Sequence, residues 1–160
     1  MYEDKLTDKQ MGQLMARMAN HNLDRSRDFY THVLPVVIEQ IKYLDRQCTD
    51  SLHKLAYSCG KMQIHDNRLW SLLQEKLIGE QLWRYFKVQR LGDIVEQWVH
   101  AGRASPELLD IYQKRLYLHR RALEAEDVEQ ARRVLSATGR ASEEFLEALE
   151  NPSVELGALE

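Results

Sequence analysis

The stretch Ser51–Leu77, SLHKLAYSCGKMQIHDNRLWSLLQEKL, lies without a gap over Arg90–Leu116, RLGDIVEQWVHAGRASPELLDIYQKRL, when shifted by 39 positions. Leu52 falls on Leu91, Leu55 on Ile94, Ala56 on Val95, Cys59 on Trp98 and Met62 on Ala101. After the turn, Leu69 falls on Leu108, Trp70 on Leu109, Leu72 on Ile111 and Leu77 on Leu116. A further copy follows after 37 positions, where Gly102-Arg103-Ala104-Ser105 returns as Gly139-Arg140-Ala141-Ser142. The apolar residues recur at steps of three and four, which is the period of an amphipathic helix. Fixed-period self-similarity of this kind is the mark of an array whose units bury their apolar faces on one another. The expected fold is therefore all-α: an α-solenoid, or superhelical array, of three to four antiparallel helix pairs with a repeat period of 37–39.

Working outward, residues 7–45 read as a degenerate first repeat. Thr7 and Gln10 make a capping box, and Met11, Leu14, Met15 and Met18 follow at helical spacing, giving a helix over about 8–20. Asn20-His21-Asn22 ends it, and Asp24 caps the next helix. Phe29, Val33, Val36, Val37, Ile41 and Leu44 form that helix's apolar stripe. Pro35 predicts a kink or break near Val33–Leu34, because it lacks an amide and crowds the preceding turn. Asp45–Asp50 is a polar connector. The second repeat spans 50–79, with a turn at Gln63–Asp66 that Asp66 closes as a cap and a weak break at Gly79. Residues 80–89 read as a helical linker. The third repeat spans 90–122. Gly102 stops its first helix, Ser105 caps its second with Pro106 at the first position, and that second helix is expected to run to about Ala122. The fourth spans 127–152 and acts as a cap with an acidic outer side of Glu143, Glu144, Glu147 and Glu150. Met1–Leu6 and an acidic tail at 153–160 are expected to be loose. The whole is read as a single helical-repeat domain.

Composition narrows the function. The chain has 160 residues, 44% of them apolar, enough for a continuous core without disulfide or metal staples. Net charge is −3, but residues 1–120 hold 18 Lys/Arg against 15 Asp/Glu while residues 121–160 hold 4 against 10. A dedicated nucleic-acid binder is basic over its whole domain, so this balance weighs against one. Two cysteines give no disulfide framework, and a reducing compartment is expected. No apolar run reaches the roughly 18 residues a membrane helix needs. The first 30 residues mix five basic with five acidic residues, unlike a transit peptide.

Several groupings bear on chemistry. Cys48, His53, Cys59 and His65 are the only metal-ligand types close together, but they lack the paired spacing of a zinc site, and Cys59 occupies a core position. The other histidines, His21, His32, His100 and His119, have no nucleophile motif beside them, and no glycine-rich phosphate loop occurs. No enzyme activity, metal or other cofactor is expected. The basic stretch Lys114–Arg121 is the leading binding candidate. On one continuous helix Lys114, Tyr117 and Arg121 share a side from which Arg115, Leu118 and His119 turn away; such a face suits phosphates with tyrosine stacking a base, and Arg115 and Arg120 complete the candidate set. Arg84, Lys87 and Arg90 extend the set if the linker packs alongside. The competing reading is a solvated helix face whose long stems cover apolar neighbours. Trp70 and Trp98 lie on core stripes, whereas Trp83, Tyr85 and Phe86 form a candidate contact patch for a partner.

The first helix ending in Ala56-Tyr57-Ser58-Cys59-Gly60-Lys61-Met62, the short turn ending at Asp66, and Leu69-Trp70-x-x-Leu73 resemble the helix-pair repeats of octotricopeptide and FAST-kinase-like (RAP-type) organellar proteins. Leu52–Leu77 matches best. Arg90–Leu116 keeps the spacing but puts Trp98-Val99-His100 where small residues belong. The resemblance implies a mitochondrial or chloroplast setting, mitochondrial by preference, and a place in RNA metabolism or an organellar ribosome. No counterpart of that family's terminal nuclease-like domain is recognisable, so its catalysis is not carried over. The expected function is a non-catalytic scaffold subunit that meets protein subunits of a larger complex; a direct RNA-binding module is the alternative. No small-molecule substrate is indicated.

Overall fold

The computed structural model describes residues 7–21 and 27–156. Asp24, the expected second cap, lies outside them, as do Met1–Leu6 and the last four residues. Among the described residues there are eight α-helices and no strand. They are α1 (Asp8–His21), α2 (Leu34–Ile41), α3 (Thr49–Met62), α4 (Asn67–Gln74), α5 (Val88–His100), α6 (Pro106–Leu118), α7 (Ala125–Ala137) and α8 (Glu143–Glu150). None is long and apolar enough to cross a membrane.

The helix starts follow the repeat. From α3 at Thr49 to α5 at Val88 is 39 positions, and from α4 at Asn67 to α6 at Pro106 is again 39. From α5 to α7 at Ala125 is 37, as it is from α6 to α8 at Glu143. Contacts divide the chain into two compact units, Met1–Phe86 and Lys87–Glu160, parting within the stretch expected to link repeats. In the first unit α1 packs on α3 and α2 on α4. In the second, α5 packs on α6 and α7, and α8 on α6 and α7.

Local chemistry explains the boundaries. The Gln10 amide donates to Thr7 Oγ1 at 3.1 Å and the Thr7 amide to Gln10 Oε1 at 3.0 Å, completing the capping box of α1. Asp66 Oδ1 accepts from the Arg68 and Leu69 amides at 2.9 and 3.1 Å, and Ser105 and Ser142 each cap at 3.1 Å. Helices α5 and α7 end alike. Gly102 (φ +70°) and Gly139 (φ +72°) take the left-handed conformation, while the Arg103 and Arg140 amides reach back to Trp98 O and Leu135 O at 2.8 Å each. This is the Schellman motif. Helix α3 ends the same way, but with Gln63 at φ +52° and the buried Ile64 amide on Cys59 O. An L side chain in that region costs about 1–2 kcal/mol that glycine avoids. Gln63→Gly should therefore stabilise the first unit by about 1 kcal/mol, read as a raised urea midpoint at unchanged slope.

The Pro35 region differs from expectation. The chain neither breaks nor runs as a regular helix: Phe29–Val33 forms a π-helical turn, with the Leu34 amide donating to Phe29 O five residues back. Pro35 then sits in the first turn of α2, where its missing amide is harmless. One residue is in effect inserted, so Leu34, Val37, Ile38 and Ile41 follow Phe29 into the core. Val33 is only half-buried and Val36 is exposed, against the expected stripe.

Three further boundaries are corrected. The linker is not one helix: a 3-10 turn at Leu82–Tyr85 is followed by extended backbone at Phe86 and Lys87, and Val88 already belongs to α5. The second helix of the third repeat stops at Leu118, with a separate 3-10 turn at Arg120–Ala122. The chain after Asn151 is tied down as far as Leu156, by contacts described below.

Between α5 and α7 runs a line of polar contacts. Gln89 Nε2 donates to Asp127 at 3.2 Å, Gln130 Nε2 to Asp93 at 2.9 Å, and Arg133 to both Glu96 oxygens at 2.9 and 3.2 Å. The Arg133 bond holds the Glu96 carboxyl below the ordinary glutamate value, against the opposing effect of burial. A carboxylate whose pKa is lowered by folding stabilises the fold above its unfolded pKa, and that contribution is lost as pH falls through the folded value. Glu96→Gln should cost about 0.5–1 kcal/mol at pH 7, a cost that shrinks as pH falls below the ordinary glutamate value, checked by urea unfolding across that range. At the other end, Arg140 of the recurring turn reaches back to α6, bonding Asp110 and, at 3.0 Å, Gln113 Oε1.

Candidate functional site

Helix α6 carries the basic stretch. Its start is set by Ser105 and Pro106. Its end at Leu118 decides what the stretch can do. His119 leaves the helical region, so Arg120 and Arg121 do not continue the α6 face. Arg120 turns inward and is 8% exposed. Its Nε donates to Pro152 O at 2.9 Å, its Nη1 to Tyr117 O at 2.9 Å, and its Cζ lies 4.1 Å from the Tyr117 ring centroid. Tyr117, 3% exposed, accepts the Leu156 amide on its hydroxyl at 2.8 Å. Both side chains thus clamp the segment after α8, and neither offers a surface for phosphate or base. Arg115 is half-buried, and loss of water draws its guanidinium pKa down. Lys114, His119 and Arg121 are exposed. The face expected to unite Lys114, Tyr117 and Arg121 is therefore divided: its aromatic member is structural, as is the neighbouring Arg120.

The aromatic patch is likewise divided. Phe86 is buried, as is Leu82, and so leaves the patch. Trp83 is half-buried with the Arg84 guanidinium 5.5 Å from its ring centroid, and Tyr85 is exposed. Arg84 belongs to the first unit, Lys87 and Arg90 to the second, and all three are exposed. Trp70 and Trp98 are core residues, Trp70 donating its indole N–H to Ile64 O at 2.8 Å.

Cys59 is fully buried, and burial pushes its thiol pKa up. Cys48 is half-buried, its thiol also raised by burial, and Sγ donates to Asp45 Oδ1 at 3.6 Å. Neither is set up as a thiolate nucleophile. Among the described residues no three His, Cys, Asp or Glu side chains converge on a point that could hold a metal ion.

What sequence reading missed lies on α2. An open groove of about 770 Å³ runs beside it, lined by Pro35, Val36, Tyr43 and Leu44 with Asp8 and Glu39 at its charged positions. Val36 is 43% exposed and Tyr43 76%. The only signal available was Tyr43, which falls outside the expected stripe. Val36 was hidden because one helical phase was carried across Pro35 in drawing the apolar stripe. Compared with known proteins, the chain matches no family model and no curated protein.

Proposed function

We propose that the chain is a non-catalytic docking module, a helical-repeat array serving as one subunit of a larger assembly. The observation that carries this reading is the recurrence of helix starts at 39 and then 37 positions, with first helix on first and second on second in each unit. Such recurrence supports a solenoid, whose use is to present extended surfaces to partners. On this reading the surface side chains serve docking rather than chemistry. A mitochondrial setting, in a ribosomal or RNA-processing assembly, is supported by the resemblance of Leu52–Leu77 alone. Direct RNA binding is the weaker reading, because Tyr117 and Arg120 are committed to the interior.

The test is affinity capture of the tagged chain from its own cells at moderate and high salt, with and without ribonuclease. Protein partners that survive both treatments are the expected result. Recovery of RNA alone, released steeply as salt rises, would overturn the reading in favour of an RNA module.

A further inference from the structure

Helix α2 has two unlike sides. One buries Leu34, Val37, Ile38 and Ile41. The other presents Val36, and Tyr43 in the turn just past the helix end lines the same groove, with Pro35 at its head. A helix that ends a repeat array needs a polar outer face to stay in water. Helix α8 has one, since Glu143, Glu144 and Glu147 are all exposed. Helix α2 has an apolar groove instead. The groove's charged residues, Asp8 and Glu39, are both acids. Asp8 accepts the Ser51 hydroxyl at 3.0 Å and Glu39 the Lys42 ammonium at 3.0 Å, and each carboxylate has acceptor positions beyond that one bond. Lys42 and Arg68 line the adjoining groove between α2 and α4. A basic side chain therefore finds its counter-charge on the Asp8 side.

We propose that this groove docks an amphipathic helix of a partner protein, its apolar stripe on Val36 and Tyr43 and its basic flank toward Asp8 and Glu39. Pro35, Val36, Tyr43 and Leu44 give the groove an apolar wall of the kind that takes the apolar stripe of a helix. Tyrosine supplies a large contact area that also tolerates a wet rim. The acid pair sets orientation and rejects acidic partners, nucleic acid among them. The proposal rests on the docking-module reading and names the chemistry of the partner.

The probe is a labelled peptide of about 18 residues, five helical turns, built from leucine on one stripe and lysine elsewhere. Its counterpart carries glutamate for lysine. Fluorescence anisotropy against the whole chain should show saturable binding of the leucine–lysine helix, at least about tenfold tighter than its counterpart. The double variant Val36→Asn/Tyr43→Ser should weaken it by about tenfold or more, and Glu39→Gln by about threefold, with helical circular dichroism unchanged. Equal binding of the two peptides, or undiminished binding by the double variant, would overturn the proposal. So would self-association of the chain that the double variant abolishes, since a second copy would then be the occupant. Repeating the cellular capture with the double variant separates the two claims. Partners held equally by both proteins overturn the groove and leave the docking module standing; no partner on the parent chain overturns the module itself.

Discussion

Trp98→Ala should destabilise the second unit by about 3–5 kcal/mol, one of the two largest effects expected of single substitutions here. Trp98 is fully buried in α5, and its carbonyl accepts the Arg103 amide that closes the helix. Alanine would remove the largest side chain of that core and leave a cavity that rigid helices on both sides cannot close. The equivalent place in the preceding repeat is Cys59, also fully buried, so one repeat position holds very different volumes. The two cores are therefore not exchangeable: Cys59→Trp should overpack the first unit by about 1–3 kcal/mol. Hydrogen exchange across α5 and α7 reads the first effect locally, and an unprotected α5 in Trp98→Ala is the expected result. Retained protection there would show that the core repacks around the loss.

The second large effect belongs to Lys76→Met, expected to cost the first unit about 2–3 kcal/mol. Lys76 lies in a π-helical turn, Glu75–Gly79, and is buried. Its ammonium donates to Lys42 O at 2.8 Å and Leu44 O at 2.9 Å and meets Glu80 at 3.1 Å. The carbonyls at a helix end have no partner within the helix, and the negative end of the helix dipole favours a cation there. Lys76 thus serves as a C-terminal cap for α2 supplied from a neighbouring helix. Methionine keeps most of the stem but leaves both carbonyls without that donor. Because α2 carries the groove, the same variant should loosen α2 amides in hydrogen exchange and weaken the leucine–lysine peptide. A variant as stable as the parent would mean that stripping water from the ammonium cancels what its bonds supply.

Helix starts were legible because their determinants are local. Thr7 with Gln10, Asp66, Ser105 with Pro106, and Ser142 each announce a first turn, and Gly102 and Gly139 each announce a last one. The acidic side of α8 was legible for the same reason. Contacts made at long range were not. Nothing near Lys76 in the chain says that its ammonium will find carbonyls more than thirty residues earlier, and nothing near Arg120 points to Pro152. The basic stretch misled because Lys114–Arg121 contains no glycine, proline or capping residue to mark the stop at Leu118. A continuous helix was the natural reading, and it put Tyr117 and Arg121 on one face. Gln63 shows the converse case: the turn was evident, but its left-handed residue was not, since glycine there would have been the usual sign.

The π-helical turn at Phe29–Val33 acts as a phase setting for everything beyond it in that helix. Each residue of an α-helix advances the side chain by about 100°. Running the same residues as an unbroken α-helix would swing α2 by that angle, carrying Val36 toward the core and Ile38 toward water. Pro35 would then sit against a continuous ladder, and the groove would lose its wall. Deleting one residue from the turn would do the opposite, closing it to a regular turn with Leu34, Val37, Ile38 and Ile41 still inward. Whether this helix offers a surface or only a core thus depends on one wide turn outside the groove, which no substitution within the groove would reveal.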